Sequence, residues 1–235
     1  MKYDPIKITA VVLSLVLIMV VINYFQIHAV QKTLGTGFAT AGKSEGPNGG
    51  GGIPVEFYVM SQCPYGIQVE NAIAPALGLL GDAVDFRIDY IADGRGGSFN
   101  SLHGPLEVEG DKIQLCVQEH FPQEFIDFVT CQNQQPANLG GTVESCSRIA
   151  GIDPGKILAC ASGEESNRLL EESIAASRNA GATGSPTMFI NNKPYRGERS
   201  SQAFLEAICN ELAVKPAACS QVVGGEAAAV QGGCE

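Results

Sequence analysis

Apolar residues form one long uninterrupted block near the N-terminus. Residues 8–22 read ITAVVLSLVLIMVVI, and no Asp, Glu, Lys or Arg occurs from position 8 to position 31. A helix of about 20 apolar residues spans the hydrocarbon core of a bilayer, and the block is longer than the apolar core of a typical signal peptide. The pattern predicts a transmembrane anchor over residues 1–32 and favours it over a cleaved signal. Lys2 and Lys7 precede the block, which favours a cytoplasmic N-terminus and an extracytoplasmic domain.

Two Gly-rich segments flank the part of the chain that has regular hydrophobic patterning. Residues 33–52 lack hydrophobic periodicity and are rich in Gly, which is typical of a flexible linker. Residues 220–235 are similar in composition, and they predict a flexible tail. The folded domain is therefore expected over residues 53–219.

The start of this domain has the pattern of a strand, a helix and a second strand. Alternating apolar residues predict strands over residues 53–60 and 84–90. Pro64 is well placed at the first position of the intervening helix, which makes Cys63 its N-cap. The helix continues to about Leu80, and the short connections indicate a parallel strand pair with a right-handed crossover.

The middle of the domain, about residues 98–180, has a helical rhythm and is predicted to be a helical insert. Its helices are expected over residues 111–129 with a break at Pro122, and over residues 142–149, 154–161 and 169–180.

A short β segment and a last helix follow the insert. Pro186 lies at the start of a short strand, and Asn191-Asn192 predicts a hairpin turn into another strand. A final helix is expected over residues 201–212.

Composition restricts the class of function and the compartment. The 235 residues carry 15 Lys+Arg and 25 Asp+Glu, a formal charge of −10, which argues against a protein that binds nucleic acid through phosphates. Hydrophobic residues make up 45% and charged residues 17%, so the chain is able to bury a core. Eight Cys are unusual where thiols are kept reduced and indicate an oxidising compartment.

The order of these elements resembles the thioredoxin fold with a helical insertion, as in the DsbA family. The resemblance rests on Cys63-Pro64-Tyr65 at the start of the first helix and Ser185-Pro186-Thr187 before the third strand. The insert further resembles the gamma-interferon-inducible lysosomal thiol reductase family. The similar positions are Ser101-Leu102-His103-Gly104-Pro105, Gln114-Leu115-Cys116, Cys131, Cys146, Gly151-Ile152-Asp153, Ile157, Cys160, Gly163 and Leu169-Leu170. The resemblance covers about residues 53–212, and it implies an α/β, thioredoxin-like fold and thiol–disulfide chemistry.

Two motifs of that family pattern are altered here, at three cysteine positions. Gly66 stands where the active-site Cys-x-x-Cys motif has its second cysteine. The family segment Cys-Gln-His-Gly, followed seven residues on by another cysteine, has Ser101 and Val108 at its two cysteine positions. The absence of both cysteines from this segment is what we would expect if they formed one disulfide with each other, which this chain does without.

Cys63 is the expected nucleophile. Unpaired backbone N–H groups and the positive end of the dipole at a helix N-terminus stabilise a thiolate. In the thioredoxin-like resemblance Pro186 is cis, faces the thiol and leaves backbone groups free to align a substrate strand. The rim of this site is expected to comprise Gln62, Pro64, Tyr65, Gly66, Ser185 and Thr187. The alternative is that Cys63 is a small core residue and Pro186 an edge-strand proline.

Gly66 cannot release a substrate from a mixed disulfide with Cys63. A free small thiol, a thiol of a partner protein or another cysteine of this chain could do so. Cys234 is the candidate in the chain, because the Gly-rich segment of about fourteen residues after Cys219 spans on the order of 20 Å. The alternative is an unpaired thiol at a frayed terminus.

The six remaining cysteines are expected to form structural disulfides. Four of them lie in the insert and allow three pairings, of which we favour Cys131–Cys146 with Cys116–Cys160; Cys209 and Cys219 are expected to join the last helix to the tail. A zinc site is the competing interpretation, but no pair has the short spacing that such sites use, so we expect no metal or other cofactor. His103 is either a structural histidine or an aid to proton transfer near the thiol.

The sequence therefore predicts a membrane-anchored, extracytoplasmic thiol–disulfide oxidoreductase that acts through a single nucleophilic cysteine, Cys63. Its expected partners are a thiol- or disulfide-containing protein substrate, an external thiol or redox protein, and the membrane, but not nucleic acid. The alternative function is a non-catalytic, thioredoxin-like module that binds a peptide or a partner. Gly66 favours the module, whereas Cys63 with Pro64 and Pro186 favours chemistry. A monothiol domain that binds a metal cluster is a weaker third possibility, since such domains work in reducing compartments.

Overall fold

The computed structural model describes residues 51–224 and 232–235. The predicted anchor over residues 1–32 and nearly all of the predicted linker lie outside the described residues, as do residues 225–231 of the tail. Within the described ranges, none of the helices combines the length and the apolar character that crossing a bilayer requires.

The domain is built on a four-stranded mixed sheet with a separate small hairpin. The strands are β1 (Ile53–Val59), β2 (Val84–Tyr90), β3 (Asp93–Arg95), β4 (Ser98–Asn100), β5 (Thr187–Ile190) and β6 (Lys193–Pro194). The sheet order is β2-β1-β5-β6, and β3 pairs only with β4. Strand β1 runs parallel to β2 and antiparallel to β5, so it occupies the centre of the sheet.

Seven α-helices of the described residues complete the domain. They are α1 (Pro64–Leu80), α2 (Pro105–His120), α3 (Phe125–Gln132), α4 (Val143–Ala150), α5 (Pro154–Ala161), α6 (Glu164–Asn179) and α7 (Ser201–Glu211). Proline at the first turn starts α1, α2 and α5, where its missing N–H costs nothing. Ser200 caps α7 by accepting the N–H of Ala203 at 3.3 Å.

Strand β1 forms the middle of the hydrophobic core. Val55, Phe57 and Val59 are fully buried, and each contributes about 1.5–3 kcal/mol by its burial. The Phe57 ring contacts Phe86 of β2 edge-on at 5.4 Å and Phe204 of α7 at 5.6 Å. Strand β1 ends at Val59, and the candidate site begins just beyond this residue.

The expected α/β, thioredoxin-like arrangement is confirmed: strand, helix and strand precede a helical insert, which a hairpin and a last helix follow. The insert differs in detail, because its first helix begins at Pro105, six residues before the predicted start at residue 111, although it ends at His120, close to the predicted break at Pro122. Gly104 adopts a φ of 96°, which favours glycine, and Pro105 then starts the helix one turn and a half before Asp111. The hairpin of β3 and β4 was not predicted, since strands of three residues are too short to show periodicity.

Candidate functional site

Cys63 lies at the N-terminus of α1, immediately beyond the central strand. It is the N-cap residue, with an extended backbone (φ −69°, ψ 119°), and its N–H donates to the carbonyl of Met60 at 2.9 Å. The first N–H groups of a helix have no partners within the helix, so the positive end of the α1 dipole is directed at this residue. Cys63 is fully buried in this state of the protein.

Ser185 and Pro186 approach Cys63 from the other end of the sequence. Their peptide bond is cis, as the resemblance implies. The hydroxyl oxygen of Ser185 accepts the N–H of Met60 at 3.0 Å, and the Ser185 carbonyl oxygen lies 3.5 Å from the Cys63 sulfur. The structure therefore brings together the two motifs on which the thioredoxin-like resemblance rests.

Cys63 is joined by a disulfide to Cys234, from which 171 positions separate it in the sequence, with a Cα–Cα distance of 6.1 Å. Cys234 also forms an antiparallel bridge with Ser185. The Ser185 N–H donates to the Cys234 carbonyl at 2.8 Å, and the Cys234 N–H donates to the Ser185 carbonyl at 2.9 Å. The described end of the tail is thus bound to the site, whereas the sequence predicts a flexible tail over residues 220–235.

The expected rim residues surround this pair in different ways. Gln62 donates from Nε2 to the carbonyl of Pro136 at 2.6 Å, and the Thr187 hydroxyl donates to the carbonyl of Gly184 at 2.8 Å. Pro64 is exposed, and Tyr65 is half-buried. These contacts position the turn before Cys63 and the start of β5.

Gly66 is buried beneath Ser185. A Cβ at position 66 would lie 2.8 Å from the Ser185 Oγ and 3.3 Å from the Met60 carbonyl oxygen. Distances this short require a neighbour to move. A side chain at the position that holds the second cysteine in the family motif therefore requires Ser185 to move.

Two buried carboxylates of α2 lie beneath the turn that carries Cys63. Glu107 is fully buried and accepts the N–H groups of Gln62 at 2.9 Å and His103 at 3.1 Å, together with the hydroxyl of Ser101. The Nδ1 atom of His103 lies 2.7 Å from a Glu107 oxygen, and Asp111 accepts the N–H of Ser61 at 3.3 Å. The sequence did not single out either acid, because acidic side chains are usually exposed to solvent. Their spacing of four positions places them on one side of α2, but the same spacing is common on exposed helix faces.

Burial shifts the pKa values of the acids in this region. Burial raises the pKa of Asp111 well above its usual value. It also raises the pKa of Glu70 on α1 to about 7, against the opposing effect of a hydrogen bond from Asn133 at 2.8 Å. One oxygen of each carboxyl group lacks a hydrogen-bond partner, and this favours the protonated forms.

The other six cysteines form three disulfides, in the pairs that we favour from the sequence: Cys116–Cys160, Cys131–Cys146 and Cys209–Cys219. Cys160 also approaches His120 and Glu165 closely enough to resemble a metal site. Its sulfur is bonded to Cys116, however, and so cannot serve as a thiolate ligand. His103 is bound by Glu107, which gives it a structural contact.

Comparison with known proteins supports a thiol–disulfide oxidoreductase. A family model described as "Gamma interferon inducible lysosomal thiol reductase (GILT)" matches residues 54–150. GILT-like protein 1 of Drosophila melanogaster is 23% identical over 206 residues, which are 72% of this chain and 79% of that protein. Vacuolar-sorting receptor 4 of Arabidopsis thaliana is 30% identical over 150 residues, but the chain spans only 24% of its length. The resemblance to the thiol reductase family is therefore confirmed, and it favours an enzyme over a binding module.

Solved structures confirm the fold. The reduced form of the disulfide bond oxidoreductase DsbG from Mycobacterium tuberculosis aligns with a TM-score of 0.56 at 20% identity, over 77% of this chain and 88% of that one. MdbA, a thiol-disulfide oxidoreductase from Actinomyces oris, aligns with a TM-score of 0.52 at 12% identity, over 68% of this chain and 80% of that one. At these identities the likeness is one of fold.

Proposed function

We propose that the protein is a membrane-anchored, extracytoplasmic thiol–disulfide oxidoreductase in which Cys63 is the only nucleophile toward the substrate and Cys234 completes the cycle. The observation that carries this proposal is the bond between Cys63, at a helix N-terminus, and Cys234, held beside Ser185. A structural disulfide needs no helix dipole at its sulfur. A redox pair benefits from one, because the dipole stabilises the thiolate that attacks and leaves.

The reaction is thiol–disulfide exchange in two steps. The Cys63 thiolate attacks one sulfur of a substrate disulfide, forms a mixed disulfide and releases the other substrate sulfur as a thiolate. The Cys234 thiolate then attacks the Cys63 sulfur, which releases the second substrate thiol and leaves the Cys63–Cys234 disulfide. An external dithiol reduces this disulfide and is itself oxidised, so electrons and protons balance. The same steps run in reverse for an oxidase.

The substrate class is a protein that carries a disulfide or a pair of thiols. The described surface beside Cys63 offers the backbone N–H and carbonyl of Ser185, which now pair with Cys234. An extended substrate segment pairs with the same two groups once the tail has left. The external partner is a small thiol or a redox protein that regenerates the dithiol.

Purified full-length protein tests the roles of the two cysteines. A model protein disulfide is the substrate and a dithiol the electron donor, and the variants are Cys63→Ser and Cys234→Ser. We expect Cys63→Ser to abolish turnover, and Cys234→Ser to lower it at least about tenfold and to accumulate the mixed disulfide at Cys63. The matched control is the double variant Cys209→Ser with Cys219→Ser, which removes a disulfide outside the site. Unchanged turnover in Cys234→Ser would contradict the role of the tail.

A binding module is the second candidate, because Gly66 replaces the second cysteine of the usual motif. This candidate predicts that the wild-type protein shows no turnover and that Cys63→Ser still binds its peptide partner. The turnover of the wild-type protein in the assay above therefore separates the two functions.

The proposed anchor and location require a separate test. The full-length protein should remain with membranes after an alkaline carbonate wash, and protease added from outside should digest the domain. Release by the carbonate wash would contradict the anchor, and protection of the domain would contradict its extracytoplasmic location.

A further inference from the structure

The end of the tail binds to the site through its main chain. Cys234 exchanges two backbone hydrogen bonds with Ser185, at 2.8 and 2.9 Å, in an antiparallel pairing. Such pairing fixes an extended segment without reading its side chains. Any extended segment that presents a cysteine at this register can make the same bonds.

Two side chains recognise the residue that lies two positions before Cys234. The Arg199 Nη1 donates to the carbonyl of Gly232 at 2.8 Å. The Tyr65 ring lies so close to the Gly232 Cα that an added Cβ would come within 3.0 Å of three ring atoms. Any residue other than glycine at this position would require the Tyr65 ring to move, whereas Arg199 holds the backbone carbonyl.

The intervening position is less restricted. A Cβ on Gly233 would lie 3.2 Å from the Ser185 carbonyl oxygen, a tight contact that a small shift relieves. Gly233 is also exposed. The strict requirement for glycine therefore falls on the position of Gly232.

We propose that residues 232–234 occupy the substrate subsite as a built-in substrate mimic, and that the site selects cysteine segments with glycine two residues before the reactive cysteine. Tyr65 sets this preference by excluding a Cβ. Arg199 accepts any residue there, because it binds the backbone carbonyl. The inference rests on the proposed function, since it names the substrate segment that Cys63 attacks.

The test uses the full-length Cys234→Ser variant, in which Cys63 is free to react. The probes are the blocked peptides Gly-Gly-Cys-Glu and Ala-Gly-Cys-Glu, each joined through its cysteine to thionitrobenzoate. The Cys63 thiolate attacks the peptide sulfur and expels the coloured thionitrobenzoate anion, whose low pKa makes it the better leaving group. One disulfide is broken and one is formed, and the mass of the adduct confirms that the peptide is bound to Cys63.

We expect the glycine peptide to react about tenfold faster, the usual size of the penalty for one overpacked methyl group. Adding Tyr65→Ala should bring the two rates to within about twofold of each other, because the ring that excludes the Cβ is gone. Both peptides should react equally with free cysteine. Equal rates in the protein that retains Tyr65, or a ratio that survives Tyr65→Ala, would overturn the inference alone. If neither peptide reacts faster with Cys63 than with free cysteine, the proposed function fails as well.

The tail itself provides a second test with a matched control. In the chain with all its cysteines, Gly232→Ala should shift the equilibrium between the Cys63–Cys234 disulfide and dithiothreitol about tenfold toward the reduced form. Gly224→Ala changes the same tail where an added Cβ meets nothing within 4 Å, and it should leave this equilibrium within about twofold. Equal shifts in the two variants would contradict the proposed contact with Tyr65.

Discussion

Replacing Gly66 by alanine is the most direct way to test why the second active-site cysteine is missing. The new Cβ would lie 2.8 Å from the Ser185 Oγ. Ser185 cannot turn away freely, because its hydroxyl oxygen accepts the buried N–H of Met60 at 3.0 Å. The variant must therefore either tolerate an overlap or leave a buried N–H without a partner.

Each of these outcomes has a known cost. Overpacking by one methyl group costs about 1–3 kcal/mol, and an unpaired buried N–H costs about the same. Gly78 provides the control on the same helix, since a Cβ there meets nothing within 4 Å. Gly78→Ala should stabilise the protein by about 0.5–1 kcal/mol, because glycine is a poor helix former. The two alanine variants should therefore differ by about 1.5–4 kcal/mol in free energy of unfolding.

Urea denaturation of the full-length protein with its disulfides intact measures these free energies. A double-mutant cycle with Ser185→Ala then isolates the contact, because that change removes the overlapping oxygen. We expect the cost of Gly66→Ala to fall by at least about 1 kcal/mol in the Ser185→Ala background. Equal effects of Gly66→Ala and Gly78→Ala, or no coupling to Ser185, would refute the steric explanation.

Two further predictions concern the buried acids. Folding raises the pKa of Glu70 from 4.5 to about 7, so between these pH values the folded protein keeps a proton that the unfolded chain releases. The free energy of unfolding therefore falls as the pH rises from about 4.5 to about 7, and Glu70 contributes about 3 kcal/mol to this fall at most. Glu70→Gln should remove this part of the pH dependence in urea denaturation at several pH values, and an unchanged profile would contradict the shift. Glu107→Gln should cost about 3 kcal/mol in urea denaturation, because the carboxylate accepts several hydrogen bonds beneath the turn that carries Cys63. Glu109→Gln, an exposed change on the same helix, should stay within about 0.5 kcal/mol in the same measurements, and equal effects of the two changes would argue against the support given by Glu107.

The parts of the fold that the sequence predicts are those that local chemistry determines. Pro64 starts α1 with Cys63 before it, because proline suits the first position of a helix. Asn191 and Asn192 both adopt positive φ, at 50° and 60°, as the predicted hairpin turn requires. Neighbours along the chain decide these features, so periodicity and turn residues suffice to find them.

The features that the sequence did not reveal depend on contacts between distant parts of the chain. Glu107 and Asp111 are buried because they bind the turn before Cys63, and no local pattern distinguishes them from surface acids. The docking of Cys234 likewise depends on Ser185 and Arg199, whereas the composition of the tail alone indicates flexibility. Cysteine spacing identified Cys234 as a candidate, but only the fold shows which groups bind it.

The pairing of Cys63 with Cys234 is the central claim, and mapping the disulfides measures it directly. Full-length protein is purified without reductant, and one half is treated briefly with a dithiol. In both halves the free thiols are alkylated, the protein is digested, and the disulfide-linked peptides are identified by mass. We expect a peptide pair that joins Cys63 to Cys234. This disulfide should open to alkylated Cys63 before the buried Cys116–Cys160 bond is reduced. A free Cys63 in the untreated protein, or reduction of Cys116–Cys160 first, would contradict this expectation.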